Sequence, residues 1–327
     1  MQTEKGKTMT VGLLDVDSHN FPNLPLMKIS AYHKAKGDEV ELLNPFRHYD
    51  RVYASKVFGA EYSDDYLYGI DADEIIEGGT GRAIHIENGR EVYTKEQDKD
   101  LPSEIEHIYP DYELYGIKDT AYGFLTRGCP NNCPFCIVSK KEGRQSVKVA
   151  DLSEFWRGQK NIDLLDPNLL ACKDRKDLLR QLIDSEASVN FNQGLDARFI
   201  TEDVAELLTE VNIKMVHFAF DLMKNEKQIL KGLEIWARYS KKTFRNQIVY
   251  ILTNYNTSFE EDLYRVRKVA ELGFNPDVRV YRKQTAPQIT KDLQRWANNR
   301  FIYQSCDFWD YEARGKSMRE TYRMVTK

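Results

Sequence analysis

Gly123-Phe-Leu-Thr-Arg-Gly-Cys129-Pro-Asn-Asn-Cys133-Pro-Phe-Cys136 gathers three of the chain's five cysteines into eight residues. An odd cysteine count crowded in this way is poor material for a disulfide framework and good material for a metal site. Thiols spaced four and three apart can fold around a cube of iron and sulfide and leave one iron without a protein ligand. A closed zinc site is the competing reading, but it wants four ligands, and no His or further Cys follows at the usual short spacing.

Working outward, the motif follows a strand candidate, Ala121–Thr126. Further strand candidates are Asn161–Leu165, Ser188–Asn192, Lys214–Phe220, Gln247–Leu252 and Asp277–Tyr281. Between them lie amphipathic stretches, Asp174–Asp184, Thr201–Glu210, Glu226–Tyr239 and Phe259–Leu272. Six β/α units in a row predict an α/β fold, a parallel sheet curled toward a partial (β/α)6 barrel with its chemistry at the C-terminal strand ends. This domain is expected over 115–285, followed by an aromatic and basic extension over 286–327.

The C-x3-C-x2-C spacing, with Phe135 before the last cysteine and the first strand of a repeated β/α domain before it, resembles the radical S-adenosylmethionine (SAM) superfamily. The resemblance implies that Cys129, Cys133 and Cys136 hold a [4Fe-4S] cluster whose open iron chelates SAM. One electron then cleaves SAM to methionine and a 5'-deoxyadenosyl radical, which abstracts hydrogen from an unactivated carbon. A reductant such as flavodoxin or ferredoxin is the implied partner. Phe135 would shield one side of the cluster, and Gly128 and neighbouring amides would hydrogen-bond its sulfurs.

Many superfamily members carry an acidic loop, often GGE, after the second strand. Here Leu164-Leu-Asp166-Pro-Asn168 stands in that place, which makes Asp166 and Asn168 positional substitutes. The stretch Asn190-Phe-Asn192-Gln193-Gly-Leu-Asp196-Ala-Arg198 resembles the polar-then-Arg pattern of related members, so Gln193 and Arg198 are SAM candidates. The planar fork of Arg198 suits the SAM carboxylate. Asp221 and Asn254, at the ends of the fourth and fifth strands, are candidates for the ribose hydroxyls.

Before the motif, Val11–Asp15, a helix over Leu24–Lys36 stopping at Gly37, and Glu39–Leu43 read as one βαβ unit. Arg51–Phe58 and Asp73–Glu77 add two strands, and 86–120 reads as connecting chain, so residues 1–114 are expected to form a small doubly wound domain with a connector. Its place before a radical SAM domain resembles the cobalamin-dependent radical SAM methylases. Asp17-Ser-His19 matches the Asp-x-His of their D-x-H-x-x-G motif, with Ser55-Lys-Val57 in the place of S-x-L and Gly78-Gly79 in that of a later glycine pair. This implies His19, backed by Asp17, as a cobalt ligand. Pro22 replaces the motif's glycine, and the domain is short, with little room for a helix between Leu43 and Arg51. A reduced domain that supports the barrel or shapes the substrate entrance therefore stands beside the cobalamin reading.

Cys172 and Cys306 remain. Some radical SAM enzymes use a distant cysteine as hydrogen donor or methyl carrier, which makes Cys306 the catalytic candidate, although a lone cysteine is more often a small buried hydrophobe. Of 327 residues, 47 are Lys or Arg and 51 Asp or Glu, a formal charge of −4 that gives no global reason to expect nucleic-acid binding. No apolar run approaches the roughly 18 residues that span a bilayer, and the polar Met1–Thr10 lacks a signal-peptide core. A cytoplasmic protein with no membrane partner is expected. Four outcomes stay open: C-methylation with cobalamin, epimerisation or rearrangement through Cys306, modification of a nucleotide or nucleic acid docked on the aromatic and basic tail, and a non-catalytic iron-sulfur or zinc module.

Overall fold

A parallel four-stranded sheet opens the chain, with strands β1 (Thr10–Asp15), β2 (Glu39–Leu42), β3 (Arg51–Ser55) and β4 (Ile75–Gly78) in the order β2-β1-β3-β4. This computed structural model describes residues 8–19, 21–64, 67–88 and 90–322. Helix α1 (Leu24–Lys36) makes the first crossover. Asn23 caps it by accepting the Leu26 amide at 3.3 Å, and Gly37, at φ +89°, ends it in the left-handed region that glycine enters without penalty. Leu26 and Ile29 of α1 pack on Val11 and Leu13 of β1 together with Ile105, and each such buried side chain stabilises the fold by about 1.5–3 kcal/mol. The crossovers from β2 to β3 and from β3 to β4 contain no helix among the described residues. The strand order reverses as in a doubly wound sheet, but α1 is its one crossover helix.

The connector is more structured than its composition predicts. It holds an antiparallel hairpin of β5 (Ile84–Glu87) and β6 (Arg90–Tyr93), and a single turn of helix, α2 (Ser103–Glu106). Strand β7 (Thr120–Gly123) follows. The short strands β8 (Thr126–Arg127) and β9 (Val147–Lys148) pair antiparallel around helix α3 (Val138–Lys141), and β10 (Asn161–Leu164) comes next.

The chain divides into two compact units at Asp163 and Leu164. The second continues with α4 (Arg175–Asp184), β11 (Ser188–Phe191), α5 (Glu202–Glu210), β12 (Val216–Ala219), α6 (Glu226–Tyr239), β13 (Gln247–Thr253), α7 (Phe259–Glu271) and β14 (Asn275–Val280). These elements follow the alternation legible in the sequence. Strands β12, β13 and β14 pair in parallel, and parallel bridges at Val189–Ile213 and Leu195–Phe218 set β11 beside β12. Helices α8 (Gln288–Ala297) and α9 (Arg300–Ser305) complete the described fold's longer elements. The fold is therefore mixed α/β with mostly parallel sheets. No described helix is long and apolar enough to cross a membrane.

Candidate functional site

All three motif cysteines sit on one loop, residues 128–146, whose neck is the β8–β9 pair. Gly128 is buried at φ +85°, and a Cβ there would fall 2.1 Å from the Gln145 carbonyl oxygen, so no other residue fits without moving the loop. Glu142 ties the neck from inside. Its Oε2 accepts the Gly128 amide at 3.0 Å and its Oε1 accepts Arg127 Nη1 at 2.8 Å. The Arg127 guanidinium lies 3.3 Å from the centroid of the Phe124 ring. The Cys129 amide donates to Gly143 O at 3.1 Å, and the Cys136 amide to Cys133 O at 3.0 Å. The expectation that the Gly128 amide serves a cluster sulfur is thus corrected: that donor is engaged by Glu142. Lys141 hydrogen-bonds Thr80 Oγ1 and lies 3.5 Å from Asp98 Oδ2.

Cys129, Cys133 and Cys136 are each partly exposed, and Phe135 is half-buried in the same turn. Three thiols with no carboxylate or imidazole among them match the donor chemistry of an iron-sulfur cluster with one open iron. Among the described residues, no group of three or more His, Cys, Asp or Glu side chains is drawn together as a metal cage.

In the second unit the structure brings several of the SAM candidates together. Asn168 and Asp166 are buried after β10, and Asn168 Nδ2 donates to Asp196 Oδ2 at 2.9 Å. Asp196 also grips Arg198 with both oxygens, at 2.8 Å to Nε and 2.8 Å to Nη2. Asp196 is the residue that the sequence reading missed, although its place two before Arg198 was a signal. Helix α6 packs onto this turn at Gly232, where a Cβ would fall 1.8 Å from Ala197 O. Gln193 lies exposed in the turn before Gly194. Asn254, at φ +62°, donates to Tyr281 O at 2.8 Å and so braces the ends of β13 and β14.

Asp221 follows β12 and accepts the Leu252 amide at 3.1 Å. Burial pushes its carboxyl above the ordinary carboxylate range, against the opposite pull of that amide, Arg265 and Arg198. The folded chain therefore holds this proton to higher pH than the unfolded chain does. Ionising it costs stability, fully above the raised value and not at all below the unfolded one. Asp221→Asn is expected to raise Tm at neutral pH, with a gain that shrinks as the pH falls. A gain independent of pH in thermal scans would contradict this cause.

Around the first sheet, Asp17 is buried and spends both oxygens on main-chain amides, Val57 at 2.7 Å and Phe58 at 2.9 Å. His19 is exposed at φ +46°, its ring 6.0 Å from that of Phe58. The carboxylate expected to back His19 thus supports the loop after β3.

Cys306 caps the end of α9 and donates to Ile302 O at 3.7 Å, while Trp296 Nε1 donates to its carbonyl oxygen. Cys172 is fully buried. The tail's aromatics pack on one another, Trp296 lying 4.6 Å from Tyr303 and 5.6 Å from Phe308 between ring centroids. Two of its arginines are paired, Arg314 with Asp292 and Arg319 with Asp310.

No family model matches the chain. A stretch of 127 residues is 28% identical to a CDK5RAP1-like protein of Oryza sativa subsp. japonica, covering 36% of this chain and 21% of that protein. The chain thus spans about a fifth of the length of this curated relative.

Proposed function

We propose that this chain is a radical SAM enzyme in which Cys129, Cys133 and Cys136 ligate a [4Fe-4S] cluster. The observation that supports the reading is the loop after β7, pinched at its neck by the β8–β9 pair and carrying three partly exposed thiols. The partial likeness to the rice CDK5RAP1-like protein supports the superfamily and no particular reaction. A [4Fe-4S] cluster held by Cys129, Cys133 and Cys136 would supply, once reduced, the electron needed to cleave SAM to methionine and a 5'-deoxyadenosyl radical.

The chain's own residues hold and tune. Glu142 and the β8–β9 pair fix the neck of the loop, and half-buried Phe135, beside Cys136, is the proposed shield of one side of the cluster. Asp166, Asn168, Gln193, Arg198, Asp221 and Asn254 are the proposed SAM contacts, with Asp196 holding the Arg198 guanidinium in one orientation. Cobalamin at His19 is not part of the proposal, because Asp17 is committed to the Val57 and Phe58 amides. Iron and sulfide analysis after anaerobic reconstitution tests the reading. About four irons per chain support it, whereas one tightly held zinc would overturn it.

The charges at the neck give a sharper test. Adding an electron to a cluster is opposed by nearby negative charge and favoured by positive charge. Glu142→Gln is expected to raise the midpoint potential, and Arg127→Gln to lower it, in a redox titration followed by EPR. Shifts of the same sign in both variants would report loosening of the loop and contradict the electrostatic account.

A further inference from the structure

The C-terminal edge of the first sheet holds a buried lysine that the proposed function does not use. The strand order β2-β1-β3-β4 reverses between β1 and β3, and in open α/β sheets ligands bind outside the strand ends at such a reversal. Asp17, Asn23, Ser55 and Lys56 are all buried there, at 4%, 3%, 6% and 4% exposure. Three of them satisfy one another's neighbourhood. Asp17 accepts the Val57 and Phe58 amides, and Asn23 Nδ2 donates to Ser18 Oγ at 3.2 Å and Ser55 Oγ at 2.9 Å. Lys56 is the exception: among the described residues its Nζ has neither a hydrogen-bond acceptor nor an ion-pair partner.

The glycine turn after β4 closes over this lysine. A Cβ on Gly79, at φ +93°, would fall 2.2 Å from Lys56 O, and one on Gly81 would fall 2.9 Å from Lys56 Cγ. Only glycines let the turn lie on the backbone and stem of Lys56. Next to it in the chain stand side chains that a folded protein normally covers, Val57 at 42% and Phe58 at 43% exposure, with exposed His19 6.0 Å from Phe58. The stem of Lys56 is thus fixed by its surroundings while its ammonium is left unneutralised, an arrangement that favours a bound anion.

We infer that this edge binds the phosphate group of a ring-bearing ligand, a nucleotide by chemical class, with Lys56 on the phosphate and His19 and Phe58 against the ring. The Lys141–Thr80 hydrogen bond joins the glycine turn to the helix that follows Cys136, so the ligand would lie beside the cysteine loop. Its role as substrate rests on the radical SAM reading, while binding itself does not.

The test is calorimetry on the full chain in phosphate-free buffer, with inorganic pyrophosphate and with UDP. Neither probe carries the adenosyl group that a SAM site would read. Both are expected to raise the Tm of the wild type, UDP at lower concentration. Lys56→Met and Lys56→Gln are expected to respond to neither. A wild type unmoved by both probes, or variants that respond as it does, would overturn the site. UDP acting no better than pyrophosphate would overturn the ring contact. Because none of these readings needs iron or SAM cleavage, failure here is distinguishable from failure of the proposed function.

Discussion

Arg265→Met is expected to destabilise the chain by about 3–5 kcal/mol, the cost of breaking a buried ion pair from one side. Arg265 is fully buried on α7. Its Nη1 donates to Phe220 O at 2.6 Å and Asp221 O at 3.1 Å, and its Nη2 to Leu252 O at 2.8 Å and to Asp262. Methionine replaces the stem and none of the donors, which strands three carbonyls and a carboxyl that burial already pushes above the ordinary range. Asp262 keeps Thr257 Oγ1 at 2.7 Å, so it is not left wholly alone. The double variant Arg265→Met, Asp262→Leu should recover part of the loss, since it removes both charges. Urea unfolding measures both, and a loss below about 1 kcal/mol for the single variant, the worth of an exposed pair, would contradict this account. The same arginine pins the ends of β12 and β13, where Asp221 and Asn254 sit, so its loss is also expected to weaken SAM binding.

Cys133→Ala is expected to abolish SAM cleavage and leave the fold intact. The side chain is partly exposed, and the amide contacts of its turn, Cys133 to Asn131 O and Cys136 to Cys133 O, are main-chain bonds that alanine preserves. What is lost is one of three thiolates in a loop with no spare cysteine, and a cluster held by two is not retained. Cys172→Ala is the contrast. That thiol is fully buried, so its removal should cost about 1 kcal/mol in stability as a small core hydrophobe while iron and cleavage persist. Iron retention lost in the Cys172 variant and kept in the Cys133 variant would reverse the assignment.

The elements that sequence patterning located are those set by local chemistry. Helix α1 begins at an Asn-Leu-Pro cap and stops at Gly37, and α7 begins at the Ser258–Glu261 capping box; both bounds are written in the caps. The parallel strands of the second unit were legible from apolar runs, and the cysteine loop from its spacing. What stayed hidden depends on pairing between distant residues. The β5–β6 hairpin is different: Ile84 and Ile86 alternate with polar residues before Asn88-Gly89, a local hairpin signal that the reading of 86–120 as connecting chain passed over. Glu142 reads as a solvated charge after Lys140 and Lys141 until the fold returns it to Gly128. Arg265 reads as one more charge on an amphipathic helix, and nothing local marks it as buried. Arg198 was singled out from the sequence, but its partner Asp196 was not, and that pairing makes its guanidinium a held fork.

The measurement that bears most directly on the central claim is anaerobic. The protein is reconstituted with iron and sulfide, given SAM and dithionite, and assayed for 5'-deoxyadenosine by mass spectrometry beside the Cys133→Ala control. The account predicts 5'-deoxyadenosine from the wild type and none from the control; intact SAM beside a fully formed, reduced cluster would contradict it.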